Sequence, residues 1–103
     1  MQVANVKITA GNGEWQDLES LISAQLGTTF TFDSEKTYFL VNNSNSDIYL
    51  IDTTDSISDL DAKKINGIRL GSYEQAGLIK KQGYVYCKCY TNVSTDLHIE
   101  EQE

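Results

Sequence analysis

Cys87 and Cys89 are the side chains with the most chemistry to offer, and they stand two apart in the stretch Tyr84-Val85-Tyr86-Cys87-Lys88-Cys89-Tyr90. On a β-strand that spacing turns both thiols to one face, with Cα atoms roughly 6.6 Å apart, where a disulfide would be strained. A structural zinc site needs about four Cys or His ligands at suitable spacing, and His98 is the only other such residue. The pair reads as two small buried hydrophobes, with a metal or redox site as the alternative. His98 stands between Asp96 and Glu100 at the i−2 and i+2 positions. No G-x-S-x-G or equivalent nucleophile context accompanies it, so it reads as a surface histidine.

Asp52, Asp55, Asp59 and Asp61 cluster in one segment, and oxygen-rich loops can hold calcium. Their spacing does not follow the EF-hand order and lacks its sixth-position glycine, so a solvated acidic loop is expected. Gly11-Asn12-Gly13 reads as a turn, since no phosphate-loop pattern completes it. Asn42-Asn43-Ser44 and Asn92-Val93-Ser94 match a glycosylation tripeptide that is frequent by chance. No catalytic residue, cofactor or metal is assigned, and the chain reads as non-enzymatic.

Tyr84, Tyr86 and Tyr90 lie opposite the Val85/Cys87/Cys89 side of their strand. If the cysteine side is the core, the tyrosines form an exposed aromatic stripe suited to a partner or a sugar. If both faces are covered, they are core. Trp15 joins them as a candidate contact, provided it is not fully buried.

The elements that must position these residues follow from alternation. Residues 3–10 form a first strand with Val6 and Ile8 on its apolar side. Residues 28–32 place Phe30 and Phe32 on one face. The uniformly apolar Tyr38–Val41 calls for burial on both faces or a central place in a sheet. Asn42-Asn43-Ser44-Asn45-Ser46-Asp47 then turns the chain, and Ile48–Ile51 returns as the second arm of a hairpin. Residues 52–64 read as an exposed loop with one helical turn, and Ile65, Ile68 and Leu70 as a short strand. Residues 84–91 form the clearest later strand, and Val93, Leu97 and Ile99 face inward from the last one.

A helical period appears only over Glu14–Leu26, where Trp15, Leu18, Leu21 and Ile22 share a face and Gly27 stands as C-cap. The expected fold is all-β and mainly antiparallel: a small β-sandwich or β-barrel of about seven strands with one short helix near Trp15. Its expected core is Val6, Ile8, Leu18, Phe30, Phe32, Leu40, Val41, Ile48, Leu50, Ile68, Leu70, Val85, Cys87, Leu97 and Ile99.

At 103 residues the chain makes one domain, read as residues 1–99 with an acidic tail at 100–103. Fifteen acidic residues against eight basic ones give a net charge of −7. A phosphate backbone or anionic membrane surface would be repelled, so neither nucleic acid nor membrane is an expected partner. With no apolar run of bilayer length and no charged-then-apolar start, the chain reads as soluble and made in a cytoplasm.

The order of short motifs adds a resemblance. Trp15-Gln16-Asp17-Leu18 precedes Lys36-Thr37-Tyr38-Phe39-Leu40-Val41-Asn42-Asn43-Ser44, then Ile48-Tyr49-Leu50, Gly67-Ile68-Arg69-Leu70, Gly83-Tyr84-Val85-Tyr86-Cys87-Lys88 and Thr95-Asp96-Leu97-His98-Ile99-Glu100. This order, over residues 15–100, resembles small tailed-phage virion proteins of the capsid decoration or head-fibre type. The acidic, proline-free stretch between Ile51 and Gly67 departs from that pattern. The resemblance implies a compact antiparallel β domain, commonly a homotrimer, that binds the major capsid protein or another virion protein on the assembled head. Its location would be the virion, after synthesis in a host cytoplasm. The alternative is a fibre-tip or host-surface glycan-binding module whose tyrosines stack on sugar rings.

Overall fold

The computed structural model describes residues 2–8, 13–78, 80, 82–90 and 95–102. Eight strands and two short helices follow in the order β1 (Gln2–Ile8), β2 (Gln16–Asp17), α1 (Leu18–Leu26), β3 (Tyr38–Asn42), β4 (Ile48–Thr53), α2 (Ile57–Lys63), β5 (Ile68–Leu70), β6 (Gln75–Leu78), β7 (Tyr84–Lys88) and β8 (Thr95–Glu101). They build a β-sandwich. One sheet has the order β1-β8-β3-β6 and the other β2-β7-β4-β5, with every pairing antiparallel.

Alternation places the main core as expected for most positions. Val6, Ile8, Leu40, Ile48, Leu50, Leu70, Val85, Cys87, Leu97 and Ile99 are buried between the sheets, together with Leu18 and Ile22 from α1. Strand β3 is central in its sheet. Tyr38, Leu40 and Asn42 point inward, while Phe39 and Val41 are half-buried on the outer face, so Val41 leaves the expected core. Ile68 leaves it too, because β5 is an edge strand and Ile68 remains 72% exposed.

Helix α1 starts later than its period implies. Asp17 is the N-cap, accepting from the Glu19 N–H at 3.1 Å, so Trp15 precedes the helix in extended chain beside β2. The left-handed Gly27 C-cap is in place, its N–H donating to the Ser23 carbonyl at 2.9 Å. Residues 28–32 are not a strand. Two of their amides bond to α1 side chains instead of a neighbouring ladder: Phe30 N–H donates to Ser23 Oγ (2.8 Å) and Phe32 N–H to Glu19 Oε2 (2.7 Å). Glu19 also pairs with Lys80 at 3.0 Å. Phe32 is thereby held edge-on to Phe30 and Tyr38, with centroids 5.1 and 4.8 Å away.

The turn after β3 does not close a hairpin. Strands β3 and β4 belong to different sheets, and the buried Asn42 fixes the crossover. Its Nδ2 lies 2.6 Å from the Ser46 carbonyl, 3.0 Å from that of Leu70 and 3.1 Å from that of Gly71. Its Oδ1 accepts from the Ser44 N–H and Oγ. The turn is thus bolted to the end of β5.

Two further expectations change. The acidic segment folds into the two turns of α2, capped by Ser56, whose Oγ accepts from the Asp59 N–H. Residues 100–101 are not tail, because β8 lies between β1 and β3 and pairs Glu100 and Glu101 with Phe39 and Tyr38. Lys36 pairs with Glu101 at 3.1 Å, and the Gln102 N–H donates to the Thr37 carbonyl. Strands β2 and β6 were not expected. The first-strand positions Thr9 and Ala10, the Gly11-Asn12 turn, the Asn92-Val93-Ser94 tripeptide and the inward Val93 lie outside the described residues.

Candidate interaction surface

The outer face of the β2-β7-β4-β5 sheet carries the aromatic residues that the sequence nominated. Because β7 alternates, Val85 and Cys87 point into the sandwich, and Tyr84, Tyr86 and Lys88 point out. Outward does not mean exposed here. Trp15, Leu60 and Tyr86 form a second apolar cluster, with Tyr49, Ile51, Ile57 and Ile65 packed around it. Trp15 is 5% exposed and Tyr86 4%. The expected tyrosine stripe is therefore interrupted, because α2 and the Trp15 segment cover its middle. Tyr84 and Tyr90, 47% and 53% exposed, remain at the surface on either side.

The cluster is tied together by specific contacts. The Tyr86 hydroxyl donates to the Asp55 carbonyl at 3.2 Å. Burial pushes the ionisation of that hydroxyl upward, and Tyr84, Asp17 and Asp55 push the same way. Tyr84 stacks on Tyr86 with centroids 5.5 Å apart and planes 11° apart. Gly67 underlies the indole with φ +73°: a Cβ there would lie 2.8 Å from Trp15 Cη2 and 2.7 Å from the Leu50 carbonyl oxygen. Any side chain at this position would lift Trp15 off the sheet.

Alternation sets Lys88 on the tyrosine face but gives no hint of its burial. Although charged, it is only 4% exposed. Its Nζ lies 4.2 Å from the Trp15 ring centroid, 5.2 Å from that of Tyr90 and 5.9 Å from that of Tyr49. An ammonium within about 6 Å of a ring face is attracted by the ring quadrupole, and the apolar stem packs along the same surface. Tyr49 meets Tyr90 edge-on at 5.4 Å, and Gly13, with φ +81°, lies so close to the Tyr90 ring that no Cβ fits between them. The signal available in the sequence was the place of Lys88 between Tyr86 and Tyr90 on one face of an alternating strand.

The remaining candidates are dispersed. Cys87 and Cys89 are free and buried in the main core. Burial drives the Cys87 thiol strongly upward, so it stays protonated and a poor nucleophile. The Cys89 thiol points to the Ile8 carbonyl at 3.8 Å. His98 lies on the opposite, outer side of the other sheet, its Nδ1 2.6 Å from Asn5 Oδ1 and its Nε2 3.1 Å from Glu100 Oε1. The two cysteines and His98 thus occupy different faces. Among the described residues no group of three or more His, Cys, Asp or Glu is placed to hold a metal ion. Asp55 pairs with Lys63 at 3.0 Å.

This face presents two exposed tyrosines beside a covered aromatic cluster that surrounds the Lys88 ammonium. No protein-family model, curated protein or solved structure matches the chain.

Proposed function

We propose that the chain is a non-enzymatic virion accessory of the tailed-phage decoration or head-fibre type, which docks on an assembled head through the Tyr84 and Tyr90 side of its sandwich. The observation that carries the reading is the pairing of those exposed rings with a covered base. Tyr84 rests on the buried Tyr86, and Tyr90 on Tyr49 and the Lys88 ammonium. Aromatic side chains held in place before binding lose little entropy on docking, which is the property of contact anchors. The order of short motifs over residues 15–100 supports the same reading. A net charge of −7 favours solubility before assembly.

A glycan-binding module is the second reading, favoured by the exposure of the same two rings. Tyr84 opens β7 and Tyr90 lies beyond its end at Lys88, and the strand alone spans about 13 Å, farther than one sugar ring can reach. A glycan would have to be a polysaccharide that spans both.

Co-sedimentation with phage heads assembled without this chain distinguishes the two readings. The accessory reading expects the purified chain to pellet with heads, and Tyr84→Ser/Tyr90→Ser to lose most of that binding while still unfolding in one cooperative transition well above the assay temperature. Binding to host polysaccharide but not to heads would replace it with the glycan module. Binding to neither would end both.

A further inference from the structure

The two flanks of the sandwich end differently. On one, Asn5 of β1 turns its backbone groups outward, and the Gln25 carboxamide of α1 meets both. The Asn5 N–H donates to Gln25 Oε1 at 3.0 Å, and the Asn5 carbonyl accepts from Gln25 Nε2. A side chain thus occupies the place of the next strand, a common means of blunting an edge. On the other flank both sheets end in the open, with β6 and β5 as outermost strands. Among the described residues no strand pairs with the far side of β6.

The open flank is apolar at its centre and charged at its ends. A cleft of about 90 Å³ is lined by Leu40, Leu50, Ile68, Ala76 and Leu78, with Asp52 also on its wall, and Arg69 of β5 reaches Glu74 beside β6 at 3.9 Å. Ile68 sits opposite Leu50 on β4 and on the same side of β5 as Leu70, so it belongs to the inner face. It is nonetheless 72% exposed, a core-facing isoleucine that no described residue covers.

The pairing parity of β6 says what fits. The Asn42 N–H donates to the Glu74 carbonyl at 2.9 Å, and Leu40 and Tyr38 stand opposite Ala76 and Leu78. Residues 74, 76 and 78 therefore spend their backbone groups on β3, leaving those of Gln75 and Gly77 facing outward. A second β6, antiparallel across a two-fold axis at Ala76, sets Gln75 of each copy opposite Gly77 of the other. All four outward N–H and C=O groups of each strand then find partners. No charge falls at the crossing positions. A Cβ at Gly77 would meet nothing within 4 Å, so the opposing glutamine has room.

The geometry points to a second copy of this chain as the occupant: β6 pairs with itself, joining two four-stranded sheets into one of eight strands. A two-fold axis normal to the sheet keeps both β5 strands on the same side of it and turns the two Ile68 residues toward one another, burying apolar surface that the monomer leaves wet. This pair differs from the trimer that the phage-protein resemblance implies, and it rests on the edge alone.

The register makes a charge-swap test possible, read by light scattering on a size-exclusion column from micromolar to millimolar concentration. Wild type should rise toward twice the 11.5 kDa chain mass. Gln75→Lys with Gly77→Lys sets lysines opposite lysines and should hold the chain at one mass while it still unfolds cooperatively, with a melting temperature that no longer depends on concentration. Gln75→Lys with Gly77→Glu sets opposite charges face to face and should restore the doubled mass. A wild type that stays at one mass at every concentration, a trimer mass, or a doubled mass that survives the double-lysine change would overturn the proposal.

Discussion

The two outer faces of the sandwich are built from the same alternating pattern and end in opposite states. On the β1-β8-β3-β6 sheet the outward positions are Asn5, Lys7, Asp96, His98 and Glu100, with Phe39 and Val41 half-buried among them. On the β2-β7-β4-β5 sheet the outward positions Tyr86 and Lys88 are as covered as core residues, and Tyr49 and Ile51 are half-buried around them. The difference comes from what lies on top. Helix α2 and the Trp15 segment pack on the second face, and among the described residues nothing comparable packs on the first. A strand's two faces are therefore not simply inside and outside, and a small sandwich can carry a second core beyond its sheets.

If that contrast is right, the largest effect comes from removing the indole. Trp15→Ala should cost about 4 kcal/mol, a large share of the ~5–15 kcal/mol that holds a domain of this size, measured as a fall in the urea midpoint. Alkaline stability comes next, since both faces of β7 then behave as interior. The Cys87 thiol is raised by burial, so the folded chain keeps its proton where the unfolded chain has lost it. Stability is full below the unfolded thiol's pKa of about 8.5 and falls as pH rises above it, by about 2 kcal/mol at pH 10. Urea midpoints from pH 7 to 10 should show that slope, and Cys87→Ala should flatten it.

Tyr86→Phe tests a single hydrogen bond and should cost about 1 kcal/mol through the stranded Asp55 carbonyl, by the same midpoint measurement. The smallest effect belongs to the other face: Val41→Thr, half-buried and uncovered, should change stability by less than about 0.5 kcal/mol. A cost there equal to that of Trp15→Ala would erase the contrast.

How far the sequence disclosed this depends on the residue. Alternation at Val6 and Ile8, Val85 and Cys87, Leu97 and Ile99 placed the sheets' inner faces, because a period of two needs no tertiary knowledge. The Gly27 cap was legible for the same local reason. The supposed hairpin at residues 42–47 failed because two alternating arms joined by a polar turn look alike whether they pair or cross between sheets. What decides is Asn42 reaching the Leu70 and Gly71 carbonyls, 28 and 29 residues away. Residues 28–32 failed because their backbone partners are the side chains of Ser23 and Glu19. On the candidate surface, Trp15 and the tyrosines were visible by type. Their burial was not, since it depends on α2, whose Ile57 and Leu60 are the only large apolar residues in the acidic stretch 52–64. Edge strand β6, with Gly77 at its centre, has too little β character to be read as a strand at all.

Trp15 is the only tryptophan in the chain, so the covered outer face can be tested by its fluorescence alone. The native chain should emit to the blue of free indole and resist acrylamide, with both properties lost in urea and weakened by Leu60→Ala, which removes the helix contact. Native emission at the wavelength of free indole, quenched as readily as in urea, would contradict the second core and with it the rigid base assigned to Tyr84 and Tyr90.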